Sequence, residues 1–201
     1  MLAVISPRPY KKVAREQSRQ RTRDALLDAA TDEFFTGNWL KASLESVAAK
    51  AGVTKQTLLR HFGSKDGLAL QALMRGAAQI RDQRWKTPTN DIAGAVDNLI
   101  DHYEAWGERS LRMGSWQQSG SPVLAMIAQA ARQVHYEWVE FAFAPWLDEL
   151  DEDALARRRA ALIAICDLQV WWILSHDLGL ARPEVHAILT DLIERLVDEK
   201  R

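Results

Sequence analysis

Apolar residues recur at steps of three and four along most of the chain, which is the spacing of one face of an α-helix. The first such segment follows residue 21, where Thr22 is a suitable N-cap and Gly37 a suitable stop. Its apolar face is formed by Leu26, Ala29, Ala30 and Phe34. We find no sustained alternation of apolar and polar residues, no strand-turn-strand pattern and no internal repeat. The chain is therefore predicted to be all-α.

The starts of three further helices are predicted next. Ser43 can cap a second helix, whose apolar face contains Leu44, Val47, Ala48 and Ala51. Glu45 in the first turn of this helix suits the helix dipole. Gly52 can adopt the left-handed conformation that ends it, after which Thr54 can cap a third helix and Ser64 a fourth.

The remainder of the chain is predicted to form longer helices. Residues 86–91 are a short break, and residues 112–122 contain Gly, Ser and Pro, so they should hold a loop or a short, distorted helix. Pro145 lacks an N–H group and should end or kink the helical segment around it. The last segment carries an apolar stripe formed by Val185, Ile188, Leu189, Leu192 and Leu196.

The second and third helices, with a short turn at residues 52–54, fit a helix-turn-helix. Leu58 and Phe62 would hold the third helix against the first two, which leaves a polar face formed by Lys55, Gln56, Thr57 and Arg60. Such a face can enter a major groove, where amides and cations read base edges and hydroxyls bind phosphates. The start of the next helix, with Lys65, can bind a further phosphate. The alternative is a surface helical hairpin whose charges are only solvated.

The segment SLESVAAKAGVTKQTLLRHFGSKDGL, preceded by RTRDALLDAATDEFFTGNW, closely resembles the N-terminal domain of TetR-family transcriptional regulators. The resemblance covers about 45 residues. It implies an all-α homodimer, with an N-terminal three-helix DNA-binding domain and a larger helical domain for ligand binding and dimerisation. The last two helices resemble the dimerising pair of the family. The DNA contacts that carry over are Thr54, Lys55, Gln56, Thr57, His61 and Lys65, to which the position of Arg60 adds one more.

One position departs from the family pattern. The family usually has a tyrosine where this chain has Leu59, and that tyrosine typically contacts a DNA phosphate. The resemblance therefore implies that each half-site lacks one phosphate contact, or that Leu59 contacts the DNA in another way.

Charge is distributed unevenly along the chain. Residues 1–70 contain 12 Lys and Arg against 7 Asp and Glu, whereas residues 71–201 contain 14 against 20. A basic N-terminal third suggests a module that faces a polyanion. We expect a flexible basic arm at residues 1–20, the DNA-binding domain at 21–67, and the ligand-binding and dimerisation domain at 68–201.

Several other classes of protein are disfavoured. Cys166 is the single cysteine, so no internal disulfide or thiolate metal cluster is expected. No metal and no cofactor is predicted, since His135 and His176 lack metal-ligand spacing. No set of catalytic groups stands out, so we do not expect an enzyme. Neither a membrane span nor a signal peptide is recognisable, which favours the cytoplasm.

Seven of the eight tryptophans follow residue 80. Each one alone is most simply a core residue, but together they exceed what a helical bundle requires. Aromatic cavities with few polar groups suit flat or apolar ligands. The candidates for an effector site are His102, Tyr103, Trp106, Met113, Trp116, Met126, Tyr136 and Trp172.

These features predict a ligand-responsive transcriptional regulator, most simply a repressor. It would bind a palindromic operator as a homodimer and would be released by a small, mainly apolar or aromatic ligand. The alternative is a helical interaction protein that uses the N-terminal motif for protein contacts.

Overall fold

The computed structural model describes residues 8–35, 39–114, 121–148 and 150–198, and all the regular elements in these ranges are helical. The prediction of an all-α fold is confirmed. The helices are α1 (Arg8–Phe35), α2 (Leu44–Lys50), α3 (Lys55–Phe62), α4 (Lys65–Arg84), α5 (Ile92–Gly114), α6 (Pro122–Ala142), α7 (Ala144–Leu147), α8 (Glu152–Ile165), α9 (Leu168–Trp172) and α10 (Arg182–Asp198). A π-helical turn at Ile173–Asp177 follows α9 directly.

The chain forms two compact units, with the boundary between Gly76 and Ala77 inside α4. Unit 1 contains α1 to α3 and most of α4, and unit 2 contains the remainder. The functional division into an arm, a DNA-binding domain and a ligand-binding domain stays a prediction.

The predicted start of the first helix at Thr22 was wrong, because α1 begins at Arg8. The Thr22 hydroxyl donates a hydrogen bond to the carbonyl of Ser18 inside the helix instead of capping it. Most residues between Arg8 and Thr22 are good helix formers, and no Gly or Pro interrupts the chain between positions 10 and 36. The expected stop at Gly37 lies outside the described residues.

The short helices of unit 1 begin as their sequence signals predict. The Ser43 side chain accepts from the N–H of Ser46 at the start of α2, and Thr54 accepts from the N–H of Thr57 at the start of α3. Gly52 has φ 68°, and Gly63 at the end of α3 has φ 73°. The core between these helices contains Leu26, Ala29, Ala30, Val47, Ala48, Leu58 and Phe62.

Unit 2 is built around α5, α6, α8 and α10, with Trp138, Phe143 and Leu162 fully buried among them. The Tyr103 hydroxyl donates to the carbonyl of Cys166 at 2.7 Å, which ties α5 to the end of α8. The expected break at Pro145 is confirmed, because α6 ends at Ala142 and Pro145 lies in the first turn of α7.

The apolar stripe of α10 faces two ways. Val185 and Leu189 are buried in the core of unit 2, and Ile193 joins them. Ile188 and Leu192 are exposed. The stripe is therefore wider than the core of one unit requires.

Unit 2 also contains two buried basic side chains and a half-buried one, His135. Arg84, the last residue of α4, is 2% exposed, and His102 on α5 is 6% exposed. Burial and the neighbouring charge of Arg84 lower the pKa of His102 to about 2 and that of His135 on α6 to about 4. Both imidazoles are therefore neutral at neutral pH.

Acid should destabilise the protein through these two histidines. Each binds a proton in the unfolded chain below its ordinary pKa of about 6.5 but resists protonation in the folded one, so the free energy of unfolding falls as pH falls. Between about pH 6.5 and pH 4 each contributes a loss of about 1 kcal/mol per pH unit. Urea unfolding at several pH values between about 7.5 and 5.5 measures this slope.

His102→Gln should reduce the slope whatever its effect on absolute stability. Equal slopes for wild type and His102→Gln would contradict the prediction.

Candidate nucleic-acid interface

The first turn of α3 presents polar side chains to solvent. Thr54, Lys55 and Gln56 are exposed, whereas Leu58 on the opposite side of the helix is fully buried. Thr57 is half-buried, and its hydroxyl lies 3.2 Å from the Thr54 hydroxyl. The N-terminal end of this helix therefore offers an amide, an ammonium group and two hydroxyls on one exposed surface.

Lys55 is engaged with Glu45 of α2. Its Nζ donates to the Glu45 carboxylate at 2.7 Å, and this hydrogen bond is the main reason why the pKa of Glu45 is lowered. Both side chains are largely exposed, and exposed pairs of this kind contribute little stability. A DNA phosphate can therefore compete with Glu45 for the ammonium group at small cost.

A basic cleft of about 460 Å³ lies between α1 and α3. It is lined by Arg15, Ser18, Arg19, Thr22, Arg60 and His61. Burial lowers the pKa of His61, and the positive charges of Arg19, Arg60 and Arg23 lower it further. Three arginine side chains and two hydroxyls around one cleft form an environment that favours a phosphate.

Sequence reasoning placed Arg15, Ser18 and Arg19 in a flexible basic arm and took Thr22 for a helix N-cap, so it named none of them among the individual DNA contacts. Arg15, Ser18, Arg19 and Thr22 recur at steps of three and four, so a helical reading of this segment would have placed them on one face. The helix brings that face alongside Arg60 and His61.

Lys65 is held by contacts within unit 1. Its Nζ donates to the carbonyl of Ala42 at 2.5 Å and lies 5.1 Å from the centre of the Trp39 ring. Burial is the main cause of its lowered pKa. Lys65 therefore fixes the turn before α2 against the start of α4, and its predicted phosphate contact stays a prediction.

Leu59 is half-buried and Arg60 is exposed. Arg23 of α1 lies with its guanidinium 5.3 Å from the centre of the Phe62 ring and also donates to Gln71 of α4. These contacts fix the C-terminal half of α3 between α1 and α4, with Arg60 beside the basic cleft.

Comparison with known proteins accounts for this arrangement. Residues 26–72 match the family model described as bacterial regulatory proteins, tetR family. The resemblance of this N-terminal segment to the TetR family is thereby confirmed. The relatives that match are transcriptional regulators, which agrees with the expectation that the chain is not an enzyme.

Two relatives match over part of their length. The HTH-type transcriptional regulator AlkX of Mycobacterium tuberculosis is 39% identical over 99 residues, which are 49% of this chain and 44% of that protein. The HTH-type transcriptional repressor SCO4008 of Streptomyces coelicolor is 28% identical over 119 residues, which are 58% of this chain and 60% of that protein. The matches thus span about half the length of these relatives.

Solved structures support the fold. A transcriptional regulator of Rhodococcus sp. Rha1, RHA1_ro04179, has a TM-score of 0.62 at 20% identity, and the TetR-family regulator SCO0857 of Streptomyces coelicolor has 0.52 at 18%. In each case the match covers 90% of this chain and 96% of the other. The fold of the TetR family therefore extends over both units.

The predicted effector residues do not gather in one place. Tyr103 and Trp172 line a cleft of about 330 Å³ in unit 2, together with Trp171, His176 and Glu104 among others. Trp172 stacks on His176 with ring centres 3.7 Å apart. Three aromatic side chains and an imidazole therefore form part of the wall of this cleft.

The other candidates lie elsewhere. His102 is buried, Trp106 is half-buried with the Arg109 guanidinium 5.2 Å from its ring, and Met126 and Tyr136 are exposed. The side chain of Met113 and the whole of Trp116 lie outside the described residues.

In the described part of the chain, no three His, Cys, Asp or Glu side chains are grouped so that they could hold a metal ion. No helix there combines the length and apolar content needed to cross a bilayer.

The basic cleft generates a test of its role. Arg15→Ala with Arg19→Ala should weaken binding to specific and random duplexes alike, because phosphates carry no sequence information. The slope of log K against log salt should fall by roughly 0.9 for each phosphate that the variant no longer neutralises. Fluorescence anisotropy titrations at several salt concentrations measure this slope.

Arg21→Ala is the matched control, because Arg21 is an exposed arginine of the same helix that does not line the cleft. It should change the slope less than the double variant does. An unchanged slope in the double variant would show that the cleft does not contact DNA phosphates.

Proposed function

We propose that the protein is a transcriptional regulator, acting as a repressor, that binds a palindromic operator through the first turn of α3. The observation that carries the proposal is the first turn of α3 next to a cleft lined by four arginine or histidine side chains of two helices, Arg15, Arg19, Arg60 and His61. The turn supplies groups that read bases, and the cleft supplies charge for the adjoining phosphates.

Binding to a palindrome requires two copies of the chain. The surface that supports dimerisation is the outer part of the α10 stripe, where Ile188 and Leu192 are exposed. The helix α10 packs against α8. Pairing of this surface with its copy would bury these side chains and relate the two α3 helices by a two-fold axis. Adjacent major grooves require a separation of about 34–36 Å between them.

Release from DNA would follow the binding of a small effector in unit 2. The aromatic cleft beside Tyr103 and Trp172 supports an effector with an apolar or aromatic body. The effector shifts the equilibrium only by its difference in affinity for the DNA-binding conformation and the released one. We infer that such a regulator acts in the cytoplasm.

The test begins with the DNA that flanks the gene encoding the chain. A palindrome there supplies a duplex for anisotropy titrations, with a scrambled duplex as the control. The proposal requires salt-dependent binding that prefers the palindrome, with two chains per duplex by mass. Equal binding to both duplexes would favour a helical interaction protein instead.

Gln56 should determine part of the operator sequence. It lies exposed in the first turn of α3, the part of a recognition helix that contacts base edges. Gln56→Ala should lose roughly 1–3 kcal/mol of discrimination at one base pair in each half-site, provided that the amide makes two hydrogen bonds to a base. Titrations on operators substituted at single positions measure this loss.

The control for Gln56 is the random duplex. Its affinity should stay close to that of wild type, because no base contact is specific there. Equal losses on operator and random duplex would show that Gln56 only positions the protein.

Leu59→Tyr tests the departure from the family pattern. A tyrosine hydroxyl that bonds a phosphate should tighten binding to operator and random duplexes alike, by roughly 0.5–1.5 kcal/mol in each half-site. If half-buried Leu59 instead packs on a neighbouring helix or on a thymine methyl, the larger ring should weaken binding mainly on the operator. Titration of one variant on both duplexes decides between these accounts.

A further inference from the structure

Arg84 is a buried cation with two nitrogens that lack hydrogen-bond partners. Its side chain is 2% exposed, and neither its Nε nor its Nη2 has a hydrogen-bond partner in the described part of the chain. A guanidinium group keeps its proton in proteins, so it cannot become neutral to reduce the cost of burial. A buried charge of this kind requires a counter-charge.

Among the described residues no carboxylate is paired with Arg84, although Asp167 lies near enough to act on Tyr103 and Cys166. The groups whose electrostatic effect on Arg84 is largest are the Tyr103 hydroxyl and the Cys166 thiol, not a carboxylate. Burial raises the pKa of both groups, so both stay neutral at neutral pH. Among the described salt bridges none involves Arg84.

Two further polar atoms lie unpartnered close to the guanidinium. The Nδ1 atoms of His102 and His135 are buried without hydrogen bonds, and the charge of Arg84 acts on both rings. The His135 Nε2 lies 3.3 Å from the carbonyl of Ile163, so Nε2 carries the proton and Nδ1 is an acceptor. The cluster therefore combines one permanent charge with two neutral imidazoles.

The two unpartnered nitrogens of Arg84 indicate the shape of the missing group. Nε and Nη2 lie on the same edge of the guanidinium plane, and their N–H bonds are parallel. This edge matches the two oxygens of a carboxylate, which accept two parallel hydrogen bonds. A spherical ion such as chloride is a single acceptor and cannot align with both parallel N–H bonds at once.

We propose that Arg84 binds the carboxylate of a small organic acid with an apolar or aromatic body, and that this acid belongs to the effector class of the protein. The proposal rests on the proposed function only where it calls this ligand an effector; binding of a carboxylate at Arg84 does not depend on it. The body of the ligand would lie on the side of Tyr103, whose ring centre is 5.9 Å from the Arg84 Cζ and which also lines the aromatic cleft.

A purely structural role for Arg84 predicts different behaviour. In that account the faces of Trp138 and Tyr103 and the C-terminal end of α4 stabilise the charge, and removing the charge destabilises the fold. In the ligand account the empty protein carries an uncompensated charge. Arg84→Met should then unfold no more easily than wild type without ligand, since it replaces that charge with a side chain of similar length.

The experiment uses calorimetric titration of the full chain with sodium benzoate and sodium hexanoate. Benzamide and hexanamide are the matched neutral probes, and sodium chloride against sodium gluconate tests for a simple counter-ion. Wild type should bind at least one of the carboxylates, with an affinity at least about tenfold above that for the matching amide. Arg84→Lys keeps the charge but loses the paired edge, so it should weaken carboxylate binding about tenfold or more.

Three results would overturn the proposal. They are the absence of binding by both carboxylates at millimolar concentration, equal binding by carboxylate and amide, and equal carboxylate binding by wild type and Arg84→Lys. Stabilisation by chloride with no added effect of a carboxylate would likewise reject it in favour of a bound halide. Thermal unfolding of Arg84→Met and Arg84→Lys without ligand confirms that the variants are folded and tests the structural account.

The binding experiment contains no DNA, so its outcome is separate from that of the proposed function. If the chain binds a carboxylate but prefers no palindrome, the proposed carboxylate site stands and the proposed regulator function is rejected. Preference for a palindrome without carboxylate binding would keep the regulator and reject the site.

Discussion

The position of α3 depends on a turn that requires a residue in the left-handed conformation. Gly52 has φ 68°, and its N–H donates to the carbonyl of Ala49 while the N–H of Val53 donates to that of Ala48. A Cβ at position 52 would meet no atom within 4 Å, so lack of space does not exclude a Cβ there. The constraint is therefore the backbone conformation itself, which costs an L-residue roughly 1–2 kcal/mol. Two residues later Thr54 caps α3, so the exposed first turn has a fixed direction relative to α2.

Local signals of this kind are what the sequence predicts well. The caps at Ser43 and Thr54, the glycine at 52 and the break before Pro145 each depend on residues within a few positions of one another. The exposed face of α3 follows from the same periodicity. Local signals failed for α1, where Thr22 resembled a cap but donates to Ser18 within a longer helix. A hydroxyl residue can act in either way, and the choice is made by the residues that precede it.

Contacts between distant segments could not be predicted from the sequence. Lys65 has the charge expected of a phosphate contact, but its ammonium group donates to the carbonyl of Ala42, 23 residues away. Arg84 lies in a polar segment, with Arg81, Asp82 and Gln83 directly before it. Trp138 packs on it, with the ring centre 4.1 Å from the Arg84 Cζ, and the indole donates to the Arg84 carbonyl at 3.2 Å and to the Thr87 hydroxyl at 3.0 Å. Those partners lie 54 and 51 residues from Trp138, beyond any helical spacing.

The helix α4 connects the two sites proposed above, the DNA-contacting turn of α3 and the carboxylate site at Arg84. It begins at Lys65, directly after the turn that ends α3, and it ends at Arg84. A ligand at Arg84 can influence DNA binding only if its affinity differs between the DNA-binding conformation and the released one. Its affinity would differ if the environment of the guanidinium, or access to it, differed between the two. The burial of an uncompensated charge meets this condition, because a conformation that exposes Arg84 to water relieves the same cost that a bound carboxylate relieves. Binding of the ligand and exposure of Arg84 to water would therefore be alternative ways to stabilise the same charge. The free energy that couples ligand binding to the change of conformation would then be limited by the cost of burying that charge.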